Sequence, residues 1–229
     1  VHIRHWCDIA YNFLIDRFGT VFEGRAGGVD LPVISAATQG VNTGSFSVAL
    51  MGNYQRSRPT KAELVSLKAL LAWRLDVAHV PPDEVTTMTS QGGDNTWLHK
   101  GNEVRLRTIS GHRNTGYTDC PGNHLYKLLP GIRTAVAKMG LPKIYYPVAT
   151  PHAPKTPPWK LVARGSAALD WEVTIANESG TVVRTLTLAD AERLRIAWDG
   201  KDDAGADVLP GTYTGTIAAS NGARVARPA

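Results

Sequence analysis

The alternation of apolar and polar positions predicts three β-strands in the N-terminal part of the chain. Residues 8–16 have the apolar run expected of a buried strand, and residues 21–25 have the pattern of a hairpin partner after a turn at 17–20. Residues 46–54 are mostly apolar, which predicts a third strand in the centre of the sheet.

An amphipathic helix is predicted from residue 60 to about residue 79. Thr60 can cap this helix, and Glu63 follows three residues later, which is the spacing of a capping box. The apolar residues that come next recur at helical spacing and form one stripe: Leu64, Leu67, Leu71, Leu75 and Ala78. The stripe predicts that the helix packs on the sheet.

The next part of the chain is more polar. Residues 86–109 are predicted to form a loop that contains a candidate hairpin. Asn123 can cap a short helix, and Pro130 suits the first turn of another helix that ends near Gly140. Strands mixed with covering helices make residues 1–140 an α/β domain, with a mixed central β-sheet flanked by helices.

The composition changes after this domain. Residues 141–159 contain six prolines, which favours an extended, semi-rigid linker. Residues 160–229 are predicted to form a small β-sandwich, because short alternating segments follow one another with turn signals between them. These segments are residues 169–175, 180–186, 194–198 and 212–217.

Charge and hydropathy narrow the class of protein. The net charge is +5, but the basic residues are scattered, which favours a solvated basic surface over a nucleic-acid site. No stretch of apolar residues is long enough to span a membrane. No signal peptide is visible, and the first residues have the pattern of the middle of a domain, so we expect the natural N-terminus upstream of Val1. We also expect a monomer.

The two cysteines, Cys7 and Cys120, leave three interpretations open. His112 and Cys120 lie in a loop rich in Gly, Asn, Thr and Pro, and an imidazole and a thiolate together suit zinc. A catalytic zinc site needs three protein ligands, and this loop supplies two. Alternatively, His112 is a surface residue and Cys120 a structural one, or Cys7 and Cys120 form a disulfide in a structural wall or adhesion protein.

Residues 110–122, Ser-Gly-His-Arg-Asn-Thr-Gly-Tyr-Thr-Asp-Cys-Pro-Gly, resemble the zinc loop of the N-acetylmuramoyl-L-alanine amidase and peptidoglycan recognition protein family. Residues 6–16 resemble the strand entry of that family, residues 19–25 its next hairpin, and residues 42–54 a later loop and strand. The matches come in the order of the family and cover about residues 5 to 140.

The resemblance implies a zinc amidase. His112 and Cys120 would be ligands of Zn2+. Tyr11 would direct its hydroxyl to the metal site, and Thr118 would hydrogen-bond the tetrahedral intermediate. The implied reaction is zinc-assisted hydrolysis of the amide between the lactyl group of N-acetylmuramic acid and the L-alanine of the stem peptide. The resemblance therefore also implies a secreted bacterial protein that binds peptidoglycan at the cell wall.

Three departures from the family keep a non-catalytic peptidoglycan-binding module open. The third family ligand is a histidine upstream of Val1, and His2 and His5 lie at positions where the family has no ligand. Ala37 stands where many members carry a histidine that lines the cleft. Ala26 and Gly27 match neither familiar pair at the doublet that selects the stem-peptide type in animal members, so that specificity does not transfer.

The C-terminal region has its own resemblance. Residues 196–205 and 209–213 resemble the Ig-like domain of the flagellar hook-capping protein, which implies a role in spacing or wall attachment. The segment is rich in aspartates at Asp199, Asp202 and Asp203. Their spacing lacks that of a calcium loop, so we interpret them as turn residues.

Overall fold

The computed structural model describes residues 8–150 and 156–229, so His2, His5 and Cys7 lie outside the described residues. The chain divides into two compact units: the first unit ends at Met139 and the second begins at Gly140, while Leu75–Val80 groups with the second. The elements are β1 (Phe13–Ile15), β2 (Val21–Glu23), β3 (Val48–Leu50), α1 (Lys61–Val77), β4 (Val85–Thr89), β5 (Glu103–Arg107), α2 (Asn123–Tyr126), α3 (Leu129–Ala137), β6 (Ile144–Thr150), β7 (Trp159–Ala176), β8 (Val182–Trp198), β9 (Thr214–Asn221) and β10 (Arg224–Val225).

The first unit contains a small mixed sheet with the strand order β2-β1-β3. β1 runs antiparallel to β2 and parallel to β3. The prediction of a central strand at residues 46–54 is wrong, because β1 is central among the described strands and β3 lies at the edge, half exposed. Apolar residues in a strand do not determine where the strand lies in its sheet. In the segment 46–54, the buried residue is Tyr54, which lies beyond the end of β3.

Helix α1 confirms the predicted capping box. The Thr60 hydroxyl accepts the Glu63 N–H at 3.1 Å, and the Glu63 carboxylate accepts the Thr60 N–H at 2.6 Å. Along the predicted stripe, three leucines are buried: Leu67, Leu71 and Leu75. Ala78 lies one residue beyond the end of the helix and is exposed.

Glu63 also joins α1 to the chain that follows β3. Its side chain is 1% exposed, and its carboxylate accepts a hydrogen bond from the hydroxyl of Tyr54, which is 6% exposed. Burial and Glu63 together raise the pKa of the Tyr54 hydroxyl well above its ordinary value. The Tyr54 carbonyl in turn accepts the N–H of His124, at the beginning of α2. This chain of contacts links the start of α1 to the end of the His112–Cys120 loop.

The rest of the first unit follows the predicted elements closely. β4 and β5 form an antiparallel hairpin within residues 86–109, and Pro130 lies in the first turn of α3. The residue that caps α2 is Gly122 and not Asn123, because the Asn123 side chain accepts a hydrogen bond from Arg113 instead.

The second unit is β-rich, and its five described strands belong to one hydrogen-bonded sheet with the order β10-β9-β7-β6, β8 also pairing with β7. Burial alternates along β7, so one face of the sheet carries the core around the fully buried Trp171, Val173 and Leu194. The predicted segments 180–186 and 194–198 are parts of the single strand β8. The α/β class with a β-rich C-terminal region is confirmed.

Residues 141–159 are predicted to form an extended linker. In the structure, Ile144–Thr150 of this segment form strand β6, which pairs with β7. Pro147 lies where the β6–β7 register shifts, between Tyr145 and Val148, and β6 is an edge strand. A proline is compatible with an edge strand at a bulge, because no ladder N–H is needed there. No helix in the described part of the chain is long and apolar enough to cross a membrane.

Replacement of Tyr54 by Phe tests the contact with Glu63. The variant leaves a buried carboxylate without one of its donors, so we expect the free energy of unfolding to fall by about 2 kcal/mol. Urea unfolding beside the parent chain measures the difference. Tyr117→Phe is the control, because the Tyr117 side chain is exposed and its change should stay below about 0.5 kcal/mol. Equal losses in both variants would contradict the role of Glu63.

Candidate zinc site

The predicted ligand His112 opens a single turn of 3-10 helix, His112–Asn114, inside the predicted loop. The Asn114 side chain accepts the Gly111 N–H at 2.9 Å and donates to the Tyr126 hydroxyl at 2.7 Å. The turn is therefore attached to α2 through a side chain. The His112 ring lies against Gly116, where an added Cβ would be 3.0 Å from the ring Nε2.

Arg113 connects the two ends of the loop. Its N–H donates to the Cys120 carbonyl at 2.9 Å, and its guanidinium donates to the Asp119 carbonyl and to the Asn123 side chain. The guanidinium also lies over the Tyr126 ring, 4.9 Å from the centroid. These contacts hold the residue after His112 against the residue that carries the predicted thiolate. The sequence reasoning gave Arg113 no role.

Thr118, the predicted hydrogen-bonding residue, lies within this frame. Its hydroxyl oxygen accepts the Cys120 N–H at 3.1 Å, and its own N–H donates to the Gly116 carbonyl at 2.9 Å. One lone pair of the hydroxyl is therefore occupied by the backbone of the predicted ligand, and the hydroxyl hydrogen remains available to another acceptor.

Tyr11, the predicted catalytic tyrosine, is half-buried just before β1. Its carbonyl accepts the Arg25 N–H at 2.9 Å. The buried neighbour Asn12 fixes this part of the chain, because it accepts the Ser47 N–H and donates to the Val33 carbonyl, both at 2.8 Å. Burial, and after it the charge on Cys120, raise the pKa of the Tyr11 hydroxyl. The Tyr11 hydroxyl and the Cys120 thiol are thus within electrostatic range of each other.

The electrostatic surroundings differ for the two predicted ligands. Burial lowers the pKa of His112, which favours the neutral imidazole that metals bind. Burial raises the pKa of the Cys120 thiol, although the residue as a whole is exposed, and the Arg113 guanidinium acts in the opposite direction. Among the described residues the Cys120 thiol has no disulfide partner, and the alternative of a Cys7–Cys120 disulfide lies outside the described residues with Cys7.

An imidazole and a thiol within one stabilised loop are a donor pair that suits zinc. Among residues 8–150 and 156–229, no three His, Cys, Asp or Glu side chains form a group that could hold a metal. The described residues therefore fit part of a zinc site, because they include both predicted ligands, His112 and Cys120.

Ala37, which differs from the histidine of many family members, lies in a segment close to Tyr11 in the fold. The Ala36 N–H donates to the Ala10 carbonyl at 2.8 Å, so residues 35–38 run beside the residue that precedes Tyr11. The Ser35 side chain is buried and donates to Asn42 at 3.0 Å. Ala37 therefore belongs to a segment next to the tyrosine, where it presents a methyl group in place of a polar side chain.

Two family models match the chain. The model of N-acetylmuramoyl-L-alanine amidase matches residues 2–123, and that of the FlgD Ig-like domain matches residues 162–223. Among curated relatives, peptidoglycan-recognition protein SC2 of Drosophila melanogaster is 31% identical over 121 residues, 53% of this chain and 51% of that protein. The N-acetylmuramoyl-L-alanine amidase of Mus musculus is 30% identical over 128 residues, 56% of this chain and 19% of that protein. The chain thus spans about half the length of the Drosophila protein and less of the mouse protein.

Two solved structures are similar to parts of the chain. The amidase LysC of Clostridium intestinale has 23% identity and a TM-score of 0.39, over 57% of this chain and 68% of that one. FlgD of P. aeruginosa has 30% identity and a TM-score of 0.24, over 27% of this chain and 48% of that one. The amidase model, which matches residues 2–123 of 229, covers more than half of the chain and includes Tyr11, His112 and Cys120. The chain therefore belongs to the N-acetylmuramoyl-L-alanine amidase family.

Proposed function

We propose that this chain is a zinc-dependent N-acetylmuramoyl-L-alanine amidase that hydrolyses the amide between N-acetylmuramic acid and the L-alanine of the peptidoglycan stem peptide. The observation that supports the proposal is the hydrogen bond between the Arg113 N–H and the Cys120 carbonyl, which ties the turn of His112 to Cys120. Cys120 also lies within electrostatic range of the Tyr11 hydroxyl. A histidine, a cysteine and a tyrosine in one part of the fold suit metal-assisted hydrolysis.

His112 and Cys120 would hold the zinc, and a third ligand has to come from outside the described residues. When bound, zinc supplies Lewis-acid polarisation of the scissile carbonyl and lowers the pKa of water. The hydrogen bonds of Arg113 and Asn114 fix the backbone that carries His112 and Cys120, so little backbone entropy remains to be lost when a metal binds.

Tyr11 and Thr118 would stabilise the negative charge that develops on the carbonyl oxygen. The Tyr11 hydroxyl is protonated at neutral pH, as a tyrosine with an ordinary or a raised pKa is, so that it can donate. Thr118 uses an oxygen lone pair for the Cys120 N–H, which leaves its hydrogen to point at a substrate oxygen. Water would add to the carbonyl carbon, the C–N bond would break, and the departing amine would take a proton that the water gives up. We further propose that the protein is secreted by a bacterium and acts as a monomer at the cell wall.

A binding module of the same fold is the second candidate function. It is favoured by one departure from the family pattern, the apolar Ala37, which lies in the segment that pairs with the residue before Tyr11. Such a module would bind muropeptides and release no stem peptide.

The first test removes the metal and then one ligand. In the full-length natural protein, we expect about one zinc per chain, loss of stem-peptide release in chelator, and recovery when zinc is returned. Cys120→Ala should reduce stem-peptide release at least about 100-fold and lower the zinc content, because one of the few ligands is lost. Cys7→Ala is the matched cysteine control and should keep both the stem-peptide release and the zinc content of the parent. Full activity in strong chelator would refute the proposal, and tight muropeptide binding without release would favour the binding module.

Tyr11→Phe separates catalysis from metal binding. The ring stays and the donor is lost, so we expect kcat to fall about 100-fold, with KM and zinc content near those of the parent. Steady-state kinetics on a defined muropeptide and metal analysis of the same sample measure the three quantities. Loss of zinc, or unchanged kcat, would contradict a donor role for Tyr11.

Thr118 is tested by a matched pair of variants. Thr118→Ser keeps the hydroxyl that meets the Cys120 N–H and should retain kcat within about threefold, while Thr118→Ala should lower kcat by about 10- to 100-fold. Kinetics of both variants on the same muropeptide give the comparison. If both variants lose activity equally, the methyl group of Thr118 matters and the hydroxyl does not.

A further inference from the structure

Two aromatic side chains beside the candidate zinc site face solvent together. Trp97 is 42% exposed and Tyr117 is 65% exposed. Their rings form an edge-on pair, with centroids 5.5 Å apart and an interplanar angle of 75°. The two rings therefore form an open corner with one ring face on each side. Large aromatic side chains exposed as a pair lose the free energy that burial would provide, and such patches mark ligand-binding surfaces.

The backbone beneath the two rings is rigid. Thr96 and Gly116 form an antiparallel β-bridge, and the Thr96 hydroxyl donates to the Thr115 carbonyl. Thr96 and Thr115 are both buried. Trp97 and Tyr117 each follow one residue of this bridge, so their rings project from a fixed base and lose little backbone entropy when a ligand binds.

The two residues that flank Tyr117 in the chain each contact one of the predicted zinc ligands. Gly116, which precedes Tyr117, lies against the His112 ring. Thr118, which follows Tyr117, accepts the Cys120 N–H. Successive Cα atoms are about 3.8 Å apart, so the Tyr117 backbone is at the rim of the candidate site.

The chemistry of the corner favours a sugar over the stem peptide. A pyranose ring offers a flat face of C–H groups that can lie on an aromatic face. The stem peptide carries carboxylates, and the negative π-face of an aromatic ring repels these. In the proposed substrate, the sugar ring is only a few covalent bonds from the scissile amide, so a sugar has to lie close to the zinc ligands.

We propose that Trp97 and Tyr117 form a binding subsite for a pyranose ring of the glycan strand, at or next to the muramoyl unit whose amide is cleaved. The proposal rests on the proposed function, because that function brings a glycan strand to this rim. It adds a glycan-binding surface to the contacts with the scissile amide, and it makes glycan length a determinant of affinity.

The test measures binding without cleavage. Isothermal titration calorimetry uses two probes, a peptide-free tetrasaccharide of N-acetylglucosamine, which carries no carboxylate, and the free stem peptide. We expect Trp97→Ala and Tyr117→Ala each to weaken tetrasaccharide binding by about 3- to 10-fold and to leave stem-peptide binding unchanged. Tyr117→Phe should bind like the parent, because the ring remains. Phe18→Ala, which removes another exposed aromatic side chain, is the control and should bind both probes like the parent.

The outcomes separate this proposal from the proposed function. If the alanine variants bind the tetrasaccharide as well as the parent does, or the parent does not bind it, the subsite is refuted even where the protein cleaves muropeptides. If they lose affinity for the stem peptide instead, the corner binds peptide and the proposal is wrong. If the parent releases no stem peptide but the variants lose tetrasaccharide affinity, the subsite stands and the amidase function fails. Equal thermal melting temperatures of parent and variants exclude a folding effect.

Discussion

The buried carboxylate of Glu63 is the interaction on which the arrangement of the first unit depends. It accepts the Thr60 N–H at the start of α1 and the Tyr54 hydroxyl after β3, and it does so at 1% exposure. A buried carboxylate without such donors would be strongly unfavourable, so the helix start and the chain after β3 are held together. The backbone of Tyr54 then receives the end of the His112–Cys120 loop through the His124 N–H. A helix cap and a candidate zinc loop, far apart in sequence, thus share one support.

The loop itself is stabilised mostly by groups that do not belong to the predicted site. Arg113 and Asn114 connect it to α2, and the Thr96–Gly116 bridge connects it to the segment before β5. The side chains of His112 and Cys120 take no part in these hydrogen bonds. Such a division fixes the backbone that carries the two side chains and leaves their donor atoms free, which is the preorganisation that a metal site would use.

The sequence predicted the elements that depend on residues close together in the chain. The Thr60–Glu63 capping box was predictable because both partners lie within four residues, and the Leu67, Leu71 and Leu75 stripe because helical periodicity is regular. The position of β3 at the sheet edge could not be predicted in this way, and neither could the pairing of β6, because each depends on partners distant in sequence. Pro147 favoured a linker, and its tolerance at an edge-strand bulge becomes visible once β7 is known to be the partner.

The candidate site divides in the same way. His112, Cys120, Tyr11 and Thr118 were predicted from a resemblance to a family, and no spacing rule would have joined Tyr11 to a loop about a hundred residues later. Arg113 was missed because its partners are backbone carbonyls, the Asn123 side chain and a ring face, and contacts of this kind leave no pattern in the sequence. The one available signal was an arginine next to the histidine in a loop otherwise rich in small residues.

Two glycines show why this loop tolerates little variation in its backbone. At Gly122 the φ angle is +86°, and an added Cβ would collide with the backbone of Tyr54. At Gly116 an added Cβ would meet the Asn95 carbonyl at 2.9 Å and the His112 ring at 3.0 Å. A side chain at Gly122 would therefore separate the loop from the support that begins at Glu63, while one at Gly116 would displace the imidazole and the base of the Trp97–Tyr117 pair together. The two close contacts couple the position of the predicted zinc ligand to the position of the aromatic rim, so that both surfaces of the candidate site are set by one short piece of backbone.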